Sequence, residues 1–513
     1  MTDTTEEPAR VAAWSALRID LCVVLALTAF AFAVRVLWLD HRALHIDEFH
    51  SINYARQSLA DLFALDRATD IHPPVFFASI KAWVAVFGDG RLSVRLFMVL
   101  ESIAAIPLFY VILRHFLDWK TAALAGLFFA VAPMQIHYGR FVRMYPLLTL
   151  FYLVAFLCYL RALRAPEGLL DSRRATPWLV LLGGVSLTLA FMTHYTAPFI
   201  FFCFALIAVV QLLRGRPGEF WVIVVMLGIG TLLAVPQTLH LLSQMGDPDM
   251  KWMLPTTPML FYEMSTGAYP YPKYLKPLMY LVLLWGAYQL WLRDRDMAIR
   301  MGMFLAAGPL IAAIVGIWHP IYLVRTIQLF TIFSSVLLVL AILSWRRPAA
   351  WGLGVVSFAA TLAAMPHHYY PERESDALEF HAPVREFADL ERDRVFVFFR
   401  LHREARYFGA GWIDGAHRLD HKTETADMAA LERALGECFG DGTAVTETPN
   451  DAASCRSVVV FAEVDPVGDP APGERWDAFL DDLAERYGTV YDASAARIRG
   501  VVFAEDPLIL SQN

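Results

Sequence analysis

A chain of 513 residues with 57% hydrophobic and only 18% charged side chains cannot wet the surface of a soluble protein of its size. Its mean hydropathy of +0.46 says the same: most of the chain faces lipid. From residue 366 onward 29 acids oppose 15 bases, a net of −14, so the whole-chain −7 leaves +7 for residues 1–365, a division that excludes disorder, a collagen-like fibre and nucleic-acid binding as the organising role.

The first apolar run, roughly 19–38, is about twenty residues, enough to span ~30 Å of hydrocarbon. No small-residue cleavage site follows it, so it reads as a span and not as a removable signal. Further apolar runs follow near 92–113, 121–139, 144–163, 177–193, 197–213, 219–241, 275–292, 301–318, 321–344 and 349–365, which makes eleven. Residues 72–88 are the doubtful segment: short, opening His72-Pro73-Pro74, and carrying Lys81. If that segment lies in the membrane interface, the cytoplasmic pieces hold 15 Lys and Arg in 58 residues, against 9 in 95 on the other side. If it crosses, every later loop changes sides and the bias inverts, so it is predicted to be an interfacial amphipathic helix. The long run 177–213 divides by the same test. Two helices turning at residues 193–197, with Pro198 opening the second, keep Arg214 and Arg216 on the basic side.

The predicted architecture is therefore an α-helical polytopic membrane domain (1–365, about eleven spans, N-terminus cytoplasmic) whose first outer loop is 39–91. A small extracytoplasmic α/β domain (366–513) follows. In that tail, 394–399, 457–462 and 501–504 read as buried strands, and 376–391, 428–438 and 475–487 have helical spacing. Cys438 and Cys455 are its only cysteines, and an even pair outside the cytoplasm fits a disulfide, although two separate buried thiols fit the composition as well. Thirty-seven Arg to six Lys is the codon bias of a GC-rich bacterial gene, which places the protein in a bacterial inner membrane.

Once sidedness is set, the unusual polar residues gather on the outer face. Asp47 and Glu48 follow the first span, His72 opens the interfacial helix, Arg140, Arg143 and Tyr145 sit between the third and fourth spans, and His194-Tyr195 is the next outer turn. Lys251, Tyr269 and Tyr271 lie in the large outer loop, and Arg325 lies just inside the tenth span. Each has an ordinary structural reading: a helix start for the acids, snorkelling for the arginines, an interfacial turn for His194-Tyr195. Their convergence on one face, across nearly three hundred residues, favours function, because charges at membrane depth are costly. No nucleotide, redox or zinc-protease motif is present, and no cluster has metal-ligand spacing, so no cofactor is assigned and a divalent cation stays open.

The pattern resembles the bacterial GT-C glycosyltransferases that use polyprenyl-phosphate sugars. These are relatives of the dolichyl-phosphate-mannose protein mannosyltransferases (glycosyltransferase family 39) and of the lipid A aminoarabinose transferases. The carrying features are Asp47-Glu48, His72-Pro73-Pro74, Arg95 entering the second span, Arg140-x-x-Arg143-x-Tyr145, Thr193-His194-Tyr195 and Tyr322-x-x-Arg325. Glu101 replaces the small residues expected after Arg95, and the Tyr322 segment departs from the family's Arg-Tyr-Leu.

The resemblance implies an inverting transfer of a sugar from a polyprenyl phosphate to an acceptor hydroxyl of a glycan, lipid or protein at the extracytoplasmic face. Asp47 would be the base and Glu48 its tuner. Arg140, Arg143, Arg325 and His72 would hold the donor phosphate, His72 standing where some relatives have a lysine. His194, Tyr195, Tyr145, Tyr269 and Tyr271 would contact substrate. The rival reading is a transporter or flippase of lipid-linked sugars. Against it stand the clustering of polar residues at one face instead of the midplane and the absence of an evident repeat.

Overall fold

The computed structural model describes residues 6–40, 46–64, 72–163, 172–244, 256–258, 276–319 and 321–345. It also describes short pieces of 348–359, 394–398, 417–419, parts of 428–436, and 457–463, 471–487, 491–495 and 498–504. The chain divides into two units, 1–39 with 55–369 and 40–54 with 370–513. The segment 40–54, which carries Asp47 and Glu48, thus belongs with the C-terminal unit, whereas the sequence reading keeps it in the membrane domain.

The first unit is helical. In order come α1 (Glu6–Val36), α3 (Leu59–Phe63), α4 (Val75–Phe87), α5 (Arg91–Leu113), α6 (Trp119–Ala130), α7 (Pro133–Tyr138), α8 (Tyr145–Ala162), α9 (Ser172–Phe191), α10 (Ala197–Leu213), α11 (Pro217–Gln244) and α12 (Lys276–Arg293). α2 (Ile46–Arg56) precedes α3 and falls largely in the other unit. After α12 the chain runs through α13 (Arg295–Gly302), a π-helical turn (Met303–Ala307) and α14 (Gly308–Val315). It ends in α15 (Val324–Ile327), a 3₁₀ stretch (Gln328–Phe333) and α16 (Ser334–Leu343). Among the described residues, six helices or helical runs are long and apolar enough to cross a membrane, and four shorter apolar helices accompany them, α4 with its 13 residues among these.

Exposed leucines, tryptophans and valines along α1, α11 and α12 are what a lipid-facing surface requires. Inside, α8 packs on α5 and α9, and α12 on α16. An aromatic cluster of Phe109, Tyr152, Phe156, Phe304 and Phe333 fills the centre. α8 is buried nearly all round, which explains why its sequence is apolar on every face.

Three runs expected as single helices are interrupted, each for a local reason. The run 121–139 breaks after Ala130 because Pro133 drives the preceding residue out of helical conformation: Ala132 has ψ 122. Pro309 cannot donate to the carbonyl four residues back, and the turn before it widens into the π segment 303–307. The run 321–344 is helical only from Val324 and is 3₁₀ at 328–333. The two-helix reading of 177–213 matches α9 and α10, with Pro198 in the first turn of α10. The eleventh run, 349–365, lies almost wholly outside the described residues.

In the second unit a five-stranded sheet has the order β2-β1-β3-β5-β4, from β1 (Arg394–Phe398), β2 (His417–Leu419), β3 (Ser457–Glu463), β4 (Tyr491–Ala495) and β5 (Ile498–Ala504). β1 runs parallel to β2 and β3, with Val395 opposite Val459. β5 runs antiparallel to β3 and β4, with Val502 opposite Val459 and Tyr491. One helix, α17 (Ala471–Tyr487), buries Leu480 and Leu483 and packs against β3 and β5. The expected helix 376–391 and the pair Cys438 and Cys455 lie outside the described residues.

Candidate functional site

The end of α1 is an arginine-held corner. Trp38 adopts φ +50, the left-handed region that a bulky side chain rarely enters, and it turns the backbone there. The carbonyls exposed by the turn are taken up by buried arginines. Arg140 Nη2 donates to Leu37 O at 2.9 Å and to Trp38 O at 2.8 Å, and Arg95 Nη1 donates to Leu39 O at 3.1 Å. One turn below, Arg35 donates from Nε to Ser102 Oγ at 2.9 Å and from Nη1 to Ala130 O at 2.9 Å. Arg35, Arg95 and Arg140 are all buried.

Beside this corner the segment between α7 and α8 folds tightly, the Arg143 N–H donating to Phe141 O at 2.6 Å. Gly139 is required there: a methyl group would run into Ser102 Oγ and the backbone oxygen of Gln135. Because 139–144 is not helical, residues three apart do not share a face, and Arg140 and Arg143 part company. Arg140 turns to α1. Arg143, also buried, lies close enough to His194 for its charge to act on that ring, as do His72 and Arg325.

His194 is the centre of the cluster. The N–H of Val75, at the start of α4, donates to Met192 O at 3.0 Å and holds His72-Pro73-Pro74 beside the α9–α10 turn. The His72 and His194 rings are then 5.8 Å apart, centroid to centroid, and Tyr145 lies 5.6 Å from His194 on another side. Tyr138 packs edge-on to Tyr145 at 4.7 Å. Burial, and after it the charges of His72, Arg143 and Arg325, hold the His194 imidazole well below the usual histidine range. Residues from four places in the sequence thus make a basic cluster around a buried histidine, suited to an anion, the arginines offering planar forks for phosphate oxygens.

Tyr195 is placed differently. Its hydroxyl accepts from Gln237 Nε2 at 2.5 Å, which ties it to α11. Tyr269, Tyr271 and Lys251 lie outside the described residues. In α2, Asp47 and Glu48 occupy the first turn, Asp47 half-buried and Glu48 fully buried, and Ser51 Oγ donates to Asp47 O at 3.0 Å. Among the described residues no three His, Cys, Asp or Glu side chains converge as a metal site.

Sequence reasoning passes over a polar cleft that shares Tyr138 and Tyr145 with the surroundings of His194. It is small and partly open, and is lined by Ser102, Gln135, Tyr138, Tyr145, Thr149 and Gln328. Gln135 Nε2 donates to Gln328 Oε1 at 3.0 Å, joining α7 to the 3₁₀ stretch. The available signal was the amides themselves, polar groups inside apolar runs.

The described helices define a multi-pass helical membrane protein. The model of the dolichyl-phosphate-mannose-protein mannosyltransferase family matches residues 71–241, the stretch from His72 through Arg143 and His194 into α11. The structure is similar to ArnT from Cupriavidus metallidurans bound to undecaprenyl phosphate, with TM-score 0.59 and 13% identity over 94% of this chain and 98% of that one. It is also similar to the oligosaccharyltransferase AglB from Archaeoglobus fulgidus in complex with an inhibitory peptide and a dolichol-phosphate, with TM-score 0.54 and 12% identity over 95% of this chain and 74% of that one. No curated protein matches the chain. At these identities the structural likeness establishes the fold.

Proposed function

We propose that the protein is a glycosyltransferase that moves a sugar from a polyprenyl-phosphate donor to an acceptor hydroxyl at the extracytoplasmic membrane face, with inversion. The observation that carries the reading is the basic cluster around buried His194, to which His72, Arg143 and Arg325 contribute. The shared fold with an undecaprenyl-phosphate-bound ArnT supports it.

The chemistry follows from the charges. The bond between the anomeric carbon and the phosphate oxygen breaks, and its electron pair stays on the phosphate, which gains negative charge. Cations already fixed in place stabilise that developing charge more than the ground state. Arg143 and Arg325 supply it with charge-assisted hydrogen bonds, and His72 adds a third contact. Arg140 holds the end of α1 and so shapes the wall of the pocket. Tyr145 presents a ring edge to the substrate. The acceptor oxygen attacks from the opposite side and gives its proton to the carboxylate of Asp47, while Glu48, a buried like charge one residue on, keeps that carboxylate basic.

The test is direct. Full-length protein in lipid nanodiscs is incubated with radiolabelled polyprenyl-phosphate sugars and an envelope extract, and label is followed from lipid to acceptor. Transfer with release of polyprenyl monophosphate supports the reading. Movement of intact lipid-linked sugar across the bilayer without transfer makes the protein a flippase instead.

A further inference from the structure

The α9–α10 turn contains a device that the phosphate chemistry alone does not demand. His194 Nδ1 accepts the backbone N–H of Thr196 at 3.1 Å, and Thr196 Oγ1 lies 2.9 Å from the same nitrogen. A nitrogen that accepts a main-chain N–H carries no proton, and the tautomer of a histidine is set by the bond its other nitrogen makes. The neutral ring therefore has its hydrogen on Nε2, at the opposite edge.

The turn is rigid enough to keep this arrangement. His194 N donates to Ala190 O at 3.1 Å and Ala197 N to His194 O at 3.0 Å. The groups facing the ring are His72 from the segment before α4, Arg143 and Tyr145 from the corner before and at the start of α8, and Arg325 from α15. Three of these four are basic. A charge on the ring would be repelled by its basic neighbours and starved of water, since His194 is 9% exposed.

We propose that His194 is a neutral Nε2–H hydrogen-bond donor to the phosphoryl group of the lipid substrate, and that Thr196 is the positioning residue that fixes this tautomer. This rests on the reading of the pocket as a phosphate site. The ring gives no proton away. It adds a donor without adding a charge, so the anion stays bound by hydrogen-bond geometry while the arginines supply the electrostatics, and product phosphate is released more readily than from a fully cationic cage.

The experiment combines spectroscopy with substitution, on the full chain in nanodiscs with ¹⁵N-labelled histidine and His194→Gln to assign the signal. The ligand-free protein should show a neutral ring protonated at Nε2 from pH 6 to 8, and polyprenyl monophosphate should move that proton downfield. His194→Gln, which keeps an amide N–H near the Nε2 position, should retain a quarter or more of turnover, roughly within one hydrogen bond's worth of geometry, whereas His194→Ala should lose at least about tenfold in donor KM. Thr196→Val should raise the pH at which the ring charges and raise donor KM about fivefold, with Thr196→Ser restoring both. An imidazolium or an Nδ1–H tautomer at pH 7 overturns the proposal. So does a His194→Gln protein as impaired as His194→Ala, or a Thr196→Val protein with unchanged titration and KM. If the monophosphate leaves every signal unmoved, the phosphate-site reading falls and the donor role with it. The ligand-free tautomer then still decides the role of Thr196, so the two failures are distinguishable.

Discussion

The backbone N–H of Val75 donates to the carbonyl oxygen of Met192 at 3.0 Å, and that one bond joins two segments nearly 120 residues apart. It is available because Val75 is the first α4 residue with an N–H after two prolines, and because Met192 has just left α9 and its carbonyl has no helical partner. His72 is thereby held beside His194 through the main chain. His72→Ala should therefore leave the fold intact, with unfolding shifted by no more than about 0.5 kcal/mol, and should weaken donor binding about tenfold. His72→Lys should recover most of the binding by placing an ammonium donor there. Thermal unfolding and binding of polyprenyl monophosphate, measured on the same preparations, check both halves.

Arg140 and Arg143 should fail in different ways. Arg140→Ala removes a charged donor from two buried carbonyls of α1, an interaction worth roughly 1.5–3 kcal/mol, and the loss should appear first as a lower unfolding temperature. Arg143→Ala should lower donor affinity and turnover together by about tenfold or more, with Lys rescuing only in part because it keeps the charge and loses the fork. Donor titrations and melting curves for the two alanine variants separate the roles; identical profiles would reject the division of labour.

The buried His194 gives stability an acid limit. Its folded-state pKa is depressed, so the folded protein binds fewer protons than the unfolded chain once the pH falls below the unfolded imidazole's ~6.5. The contribution is fully present above that pH. It is lost as the pH falls, by up to about 1.4 kcal/mol per unit, until the folded ring itself charges. Melting curves at pH 7.5 and 5.5 should show the loss in wild-type protein, and His194→Gln should show a smaller one. Equal acid sensitivity would mean that other groups carry it.

Far from the pocket, the other end of α8 is held by a buried ion pair. Arg300 Nη2 meets Glu219 Oε1 at 2.8 Å, Arg300 Nε donates to the Tyr159 hydroxyl at 2.9 Å, and that hydroxyl donates to Glu219. The pair's side chains are 10% and 8% exposed, so removing one partner strands the other. Glu219→Gln or Arg300→Met should cost roughly 3–5 kcal/mol, while Glu219→Leu with Arg300→Met together should be far milder. Tyr159 lies about 21 Å along α8 from Tyr145, so donor affinity in surviving protein should be unchanged. Denaturation in detergent and donor binding test the two claims separately.

Much of this fold is legible in the sequence because apolar runs and prolines speak locally. Pro198 marks the start of α10, and the charge count divides 177–213 correctly into two helices. The interruptions before Pro133 and Pro309 are equally local, but a hydropathy window averages across them. The site is harder. His72, Arg143, His194 and Arg325 can be named as candidates because charge at membrane depth needs a reason. Arg140 cannot be told from Arg143 by type or spacing, since only the non-helical turn at 139–144 sends them to different partners. Arg35, Gln135 and Gln328 escape notice for a different reason: their partners are Ser102, backbone carbonyls and each other, and such pairings, 67 to 193 residues apart, leave no local pattern.

Asp47→Asn is the sharpest test of the mechanism. Asparagine keeps the shape and hydrogen-bonding capacity of the side chain but lacks the basic oxygen. If Asp47 takes the acceptor's proton as the new bond forms, transfer should fall by ~10²–10⁴-fold. Donor binding should survive and even tighten, because a negative charge has been removed from a protein that must bind an anion. Glu48→Gln acts on the same carboxylate at one remove. It leaves the Asp47 carboxylate in place and should therefore give a smaller rate loss. Lipid-donor binding and sugar transfer are measured for both variants. Transfer by Asp47→Asn at more than about a tenth of the normal rate is less than the loss a base explains, and would remove Asp47 from that role. Parallel loss of binding and turnover would instead make the pair a holder of the donor.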